Sequence, residues 1–168
     1  MTLRLDPDID SAVYRTVLGH YPTGVCVVTA TLADGRRSGM VVGSFTSVSL
    51  SPPLVGFFPD RSSSSWPLIE SAGKFCVNIL ASDQQDLCRR FAAKGDDKFA
   101  DLPYRLSANG SPVLEDVVAW IDCTLDTVHE AGDHYIVLGR VQELDIARPE
   151  QPLLFFKGGY GGFAPLAV

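Results

Sequence analysis

Two polar segments stand out from apolar surroundings, and both carry groups that could touch a ligand. The first, Ser44-Phe45-Thr46-Ser47-Val48-Ser49-Leu50, is rich in hydroxyls. As a strand it would set Ser44, Thr46 and Val48 on one face and Phe45, Ser47 and Ser49 on the other. The second, Arg61-Ser62-Ser63-Ser64-Ser65-Trp66, offers one permanent cation, four hydroxyls and a run of backbone N–H groups before a helix start. Such a loop can hold a phosphate. Each also has a plain structural use. The strand hydroxyls could face water, and Ser65 could cap the following helix. Lys98, after Asp96-Asp97, reads alone as a surface charge. His134, after Gly132-Asp133, could merely satisfy the backbone of a turn.

Other chemistries find little support. There is no GxxxxGK[ST] and no GxGxxG between a strand and a helix, so a nicotinamide cofactor would not be held by a Rossmann fold. Gly158-Gly159-Tyr160-Gly161-Gly162 is a glycine-rich tail that opens no helix. His129-Glu130-Ala131-Gly132-Asp133-His134 resembles HExxH but has one residue too many, and its glycine breaks the helix a zinc site needs. No metal site is expected. No GxSxG elbow accompanies the serines. The four cysteines, Cys26, Cys76, Cys88 and Cys123, form no CxxC pair and read as small buried hydrophobes.

A net charge of −6 would repel nucleic-acid phosphates, so an anionic ligand must be held by local cations and aimed N–H groups. No apolar run is long enough for a membrane span, and the start lacks a secretory core. The cytoplasm is the expected location.

The elements that must position these residues are mostly strands. With 168 residues and no internal repeat, one domain is expected over 1–168. Residues 8–19 read as an amphipathic helix, with Ile9, Val13 and Val17 at helical spacing. Strands are expected at 24–32, 37–50, 54–58, 74–80, 117–128, 134–146 and 153–156. Asp34-Gly35 and Gly132-Asp133 serve as turns, and Pro52-Pro53 as a stop to ladder pairing. Gly39 and Gly43 mark a bulge or a close backbone approach. Short helices are expected at 66–71 and at 83–93, the second with Ser82 as N-cap and Gln85 completing a capping box. In the strand at 117–128, Asp122, Thr124 and Asp126 should face away from the core. Hairpins without βαβ alternation argue for a mainly β protein, a closed antiparallel barrel with peripheral helices.

Taken together, the pieces TGVCVVTA, RSGMVVGSFTSVSLSPPLVGFF, RSSSSWPLI, GKFCVNIL, DKF, AGDHYIVLGRV and PLLFFKGGY resemble the flavin reductase-like family, in one order from about Tyr14 to Tyr160. That family includes the reductase components of two-component flavin monooxygenases. The resemblance implies an FMN-binding split β-barrel, a homodimer, FMN or FAD as flavin, and NADH or NADPH as hydride donor. It implies transfer of the reduced flavin to a partner monooxygenase. Ser38, Gly39, Met40, Val41, Gly43 and Ser44 would run beside the isoalloxazine ring, mostly through backbone groups. Ser44, Ser47 and Ser49, with Phe58, Pro59, Asp60, Ser62, Ser64 and Ser65, would line the ribityl and phosphate region. Arg90 and Lys98 could meet phosphate or the adenylate half of FAD. His134, the residue assigned to catalysis, would sit where the nicotinamide stacks, bordered by Phe156, Lys157 and Tyr160. Family members often carry Thr at the position of Val41 and a larger residue at Gly43, so side-chain bonds to the ring's pyrimidine edge are lost here.

The missing acid–base pair suits this chemistry, because the cofactors carry the hard step and the protein aligns them. NADH is favoured over NADPH, since no arginine cluster for a 2′-phosphate is evident. A flavin-binding module without turnover, or another oxidoreductase on the same barrel, are the alternatives. The site is expected to hold its flavin loosely.

Overall fold

The computed structural model describes residues 9–95 and 97–167. Its elements are α1 (Ser11–Leu18), β1 (Thr23–Gly24), β2 (Cys26–Thr31), β3 (Arg37–Val42), β4 (Thr46–Leu50), β5 (Pro53–Phe57), α2 (Trp66–Ala72) and β6 (Lys74–Ile79). Then come α3 (Gln85–Ala92), β7 (Tyr104–Leu106), β8 (Pro112–Leu114), β9 (Ala119–Ala131), β10 (His134–Ile146), β11 (Leu154–Phe156) and β12 (Gly159–Gly161). Seven strands form one antiparallel sheet in the order β3-β2-β6-β9-β10-β5-β4. The long β9–β10 hairpin forms its spine, and turns through Gly132 at φ +63°.

The two outermost strands, β3 and β4, are consecutive in the chain and joined by Gly43-Ser44-Phe45. No ladder pairs them. The expected closed barrel is therefore split: the chain turns the corner, but hydrogen bonds do not close it. The extended run expected over 37–50 breaks at the same place, for the same reason. The Ser44 hydroxyl accepts a hydrogen bond from the Phe58 N–H at 2.9 Å and pins one end of the split.

Two clusters pack on either face of the sheet. Phe57 anchors the first, edge-on to Trp66 at 5.7 Å and to Phe75 at 5.4 Å, with Val28, Val77 and Val137 around it. The second joins Val27, Leu80, Val117 and Leu153 to Cys88 and Phe91 of α3. Gly39 is where α3 presses on β3: a Cβ there would lie 2.5 Å from the Phe91 ring. The expected close approach at Gly39 is thus real. Gly43 is looser, with only the Thr23 hydroxyl at 3.3 Å. All four cysteines are free and buried, and burial pushes the Cys26 and Cys123 thiols up to about 12.

Several local expectations need correction. Ser82 does not cap α3, because its N–H is drawn to Gln151 O at 2.8 Å, next to the Ala81–Pro152 bridge. Gln84 flanks the helix instead. Its Oε1 accepts from Ala81 N at 3.0 Å, and its Nε2 donates to Glu115 O at 2.9 Å. Ser65 does not cap α2; the Ser63 hydroxyl accepts from Trp66 N at 3.2 Å. Pro53 opens β5 and pairs with Leu50, so the ladder stops only at residues 51–52. A bulge between Ser47 and Ser49 breaks the alternation expected along β4. Asp122 does not face water. The β7–β8 hairpin covers it, and its Oδ2 accepts from Asn109 N at 3.2 Å.

Candidate functional site

Among the described residues the outer edge of β3 has no partner strand, so backbone groups along it are free of ladder bonds. The loop at 58–65 lies across from that edge, and its shape is fixed by the β9–β10 turn. Tyr135 N donates to Pro59 O at 2.9 Å, and Arg61 N to Asp133 O at 2.9 Å. Asp60 and His134 form an antiparallel bridge between these bonds. Inside the loop, Asp60 Oδ1 accepts from the Ser62 N–H and hydroxyl, both at 2.6 Å. The Ser62 hydroxyl, then its N–H, hold the Asp60 carboxyl below the usual carboxylate range. His134 Nδ1 lies 2.7 Å from Asp133 Oδ1. A carboxylate there accepts, so Nδ1 carries the proton and a neutral ring keeps Nε2 as an acceptor.

At one end of the β3 edge lies a cavity of about 390 Å³. Ser38, Gly39, Ser64, Ser65 and Lys98 meet on its walls, five residues expected from the sequence. The Lys98 ammonium donates to Phe91 O at 2.8 Å and to Gly39 O at 3.3 Å, and burial lowers its pKa. Arg36, Arg37, Phe99 and Tyr104 share this cavity and were missed. The signal was two arginines directly after the Asp-Gly turn, but their meeting with Tyr104, 67 positions later, is not local. Arg90 is not on the walls of this cavity. Its guanidinium donates to Lys98 O at 2.7 Å and to Ala100 O, so it braces the segment that carries Lys98.

A smaller cavity of about 210 Å³ includes Val41, Gly43, Cys88 and Tyr160. The Cys88 sulfur lies 3.4 Å from the Tyr160 hydroxyl, and that contact, with burial, raises the phenol's pKa. Phe156 and Tyr160 share an open hollow on the β11–β12 hairpin, while Lys157 lies in another beside His20. Met40 packs against the first core cluster. Ser47 and Ser49 of β4 pair with Val55 and Leu54 of β5, and neither lines any of these cavities. Most sequence-expected residues therefore fall into three neighbourhoods, the cavity at Ser38, the seam from Ser44 to His134 and the hairpin at Tyr160, while Met40, Ser47, Ser49, Arg90 and Lys157 lie outside them.

The model of the flavin reductase-like domain family matches residues 18–164. The chain belongs to the flavin reductase-like family. A flavin reductase of Pseudomonas putida is 65% identical over 158 residues, 94% of this chain and 93% of that one. The reductase subunit HsaB of a flavin-dependent monooxygenase from Rhodococcus jostii is 48% identical, over 94% of this chain and 80% of its own. Among solved structures, the NADH:FAD oxidoreductase SgcE6 of Streptomyces globisporus, in complex with NAD and FAD fragments, superposes with a TM-score of 0.88. It is 34% identical and covers 95% of this chain and 96% of its own. Nitrilotriacetate monooxygenase component B from Mycobacterium thermoresistibile gives a TM-score of 0.89 at 44% identity, over 93% of this chain and 88% of its own. The split barrel expected from the family resemblance is thus the fold of this reductase. Among the described residues, no helix is long and apolar enough to cross a membrane.

Proposed function

We propose that the flavin ring of this reductase lies in the split, between the β3 edge and the 58–65 loop. A nicotinamide then stacks on it beside His134. The carrying observation is the seam: one hydrogen-bonded loop joins Ser44, Phe58, Asp60, Ser62 and His134, opposite the free edge of β3. An edge strand supplies backbone donors and acceptors whatever its side chains, which explains why Val41 and Gly43 are tolerated. The seam residues and the hydroxyl-lined cavity fit a flavin with a phosphate tail. Bound there, a flavin supplies a hydride acceptor for reduced nicotinamide.

The protein's own work is alignment. Asp133 fixes the His134 tautomer, which leaves Nε2 free to accept from a carboxamide N–H. His134→Ala should raise the KM for NADH about ten-fold and move the flavin KM far less. Collapse of flavin affinity instead would remove His134 from the nicotinamide side.

The reductase is also proposed to hand reduced flavin to a separate monooxygenase, since relatives are named as reductase subunit or component of one, and to act as a homodimer. α1 buries none of its residues, and Val13, Tyr14, Val17 and Leu18 are each half-exposed or more. Apolar faces of this kind mark subunit contacts. Sedimentation equilibrium should return twice the chain mass of 18.2 kDa, and a monomer at micromolar concentration would contradict it.

A further inference from the structure

Arg61 is the permanent cation of the serine-rich loop, but its side chain is spent on the tip of the β9–β10 hairpin. Its Nη1 donates to Gly132 O at 3.4 Å, and its Nη2 meets Glu130 Oε1 at 3.5 Å. Its guanidinium carbon stands 5.5 Å from the centre of the Tyr135 ring. Tyr135 in turn lies tilted against Trp66 at 6.4 Å, and Trp66 is buried at the start of α2. Arg61 therefore touches residues on both sides of the Asp133-His134 pair: Glu130 and Gly132 before it, Tyr135 after it. These contacts add to the two main-chain bonds that already join loop and tip, Arg61 N to Asp133 O and Tyr135 N to Pro59 O. Asp60, the carboxylate next to Arg61 in the chain, is taken by the Ser62 N–H and hydroxyl.

The tip has little else to fix it. It turns through a glycine, the residue with the most backbone freedom. The His134 and Asp133 side chains are 43% and 91% exposed, so packing does little to place the imidazole. The Asp133 carboxylate, 2.7 Å from His134 Nδ1, sets the tautomer but is itself placed only through the backbone of the turn. A guanidinium that reaches the carbonyl before that pair and the ring after it holds the turn from both ends.

We propose that Arg61 is a positioning residue for hydride transfer, holding the hairpin tip so that His134 meets the nicotinamide, and that it touches neither flavin nor nicotinamide itself. The proposal rests on the reading of His134 as the residue on the nicotinamide side and deepens it. It assigns the cation of the 58–65 loop to the hairpin and not to a phosphate.

An exposed cation–ring contact and a long ion pair together are worth about three- to ten-fold in an equilibrium, which sets the expected effect. In Arg61→Ala the KM for NADH should rise by about that factor, with kcat and the flavin KM each moving less than about two-fold. Arg61→Lys keeps a charge over Tyr135 but loses the fork, and should recover part of the loss. The double variant decides. A residue that acts through His134 has nothing left to position once the imidazole is gone, so adding Arg61→Ala to His134→Ala should leave the NADH KM where His134→Ala alone puts it. Arg61 is 45% exposed, so its removal opens no core cavity, and all these variants should melt close to wild type. Glu130→Gln, 72% exposed, should raise the NADH KM in the same direction by less. Additive losses in the double variant, or an Arg61→Ala protein with an unchanged NADH KM, would overturn the proposal while leaving His134 in place. So would a rise in the flavin KM alone, which would hand Arg61 to a flavin phosphate. If His134→Ala itself raises the flavin KM and spares NADH, the reading of His134 fails, and the proposal with it.

Discussion

Replacing Gly39 by alanine tests whether the core and the site share one contact. The added Cβ would lie 2.5 Å from Phe91 Cε1 and 2.8 Å from Cδ1. The Phe91 ring is 1% exposed and packs edge-on against Phe99 at 5.1 Å, so it has little room to withdraw. Overpacking of this kind costs about 1–3 kcal/mol. For a domain of this size each kcal/mol lowers Tm by about 2–4 °C. A fall of about 2–12 °C in a thermal melt is therefore expected. The consequence reaches the ligand, because the Lys98 ammonium is hung from the carbonyls of Gly39 and Phe91. Parting α3 from β3 pulls those carbonyls apart, so the flavin KM should rise several-fold as well. The double variant Gly39→Ala with Phe91→Leu, which gives the methyl room, should recover part of both losses. A Gly39→Ala protein with Tm within 1 °C of wild type and an unchanged flavin KM would refute the reasoning.

Two further outcomes are expected. Burial raises the Asp122 carboxyl above its ordinary value, and its Oδ1 has no partner among the described residues. A carboxyl raised in the folded state favours folding only while it is protonated, and that stability is lost as pH climbs from the unfolded value through the folded one. Asp122→Asn should therefore melt a few degrees higher than wild type at pH 8, and the gain should shrink toward pH 4. A pH-independent difference in Tm would discount the ionisation. The flavin contacts assigned to β3 come from a strand edge, not an enclosing pocket. Extensive dialysis should therefore strip the yellow colour, and retention of stoichiometric flavin would contradict a loosely held site.

The fold was legible wherever its signals were local. β10 has the bounds expected for it, because alternation and the Gly132-Asp133 turn lie within the segment itself. Gly39 was recognisable as a close approach, though not what it approaches. The misses share one cause, a partner distant in the chain. Ser82 has every local feature of an N-cap, yet Gln151 claims its N–H. Asp122 belongs to the polar side of an alternating strand, yet the short β7–β8 hairpin, which carries no strong strand signal, covers that side. The split itself follows from two edge strands failing to pair, which no window of sequence displays. For the site, residue types sufficed to gather Ser38, Gly39, Ser64, Ser65 and Lys98. Arg37 and Tyr104 escaped because neither is unusual until the fold sets one above the other.

The central claim is that the split between β3 and the 58–65 loop is the flavin groove. A crystal structure of the protein soaked with FAD tests it directly. The account predicts tricyclic density along residues 38–44, facing Phe58 to Ser62, with one side of the ring open next to His134. A ring bound elsewhere, or a split filled by the protein's own side chains, would contradict it.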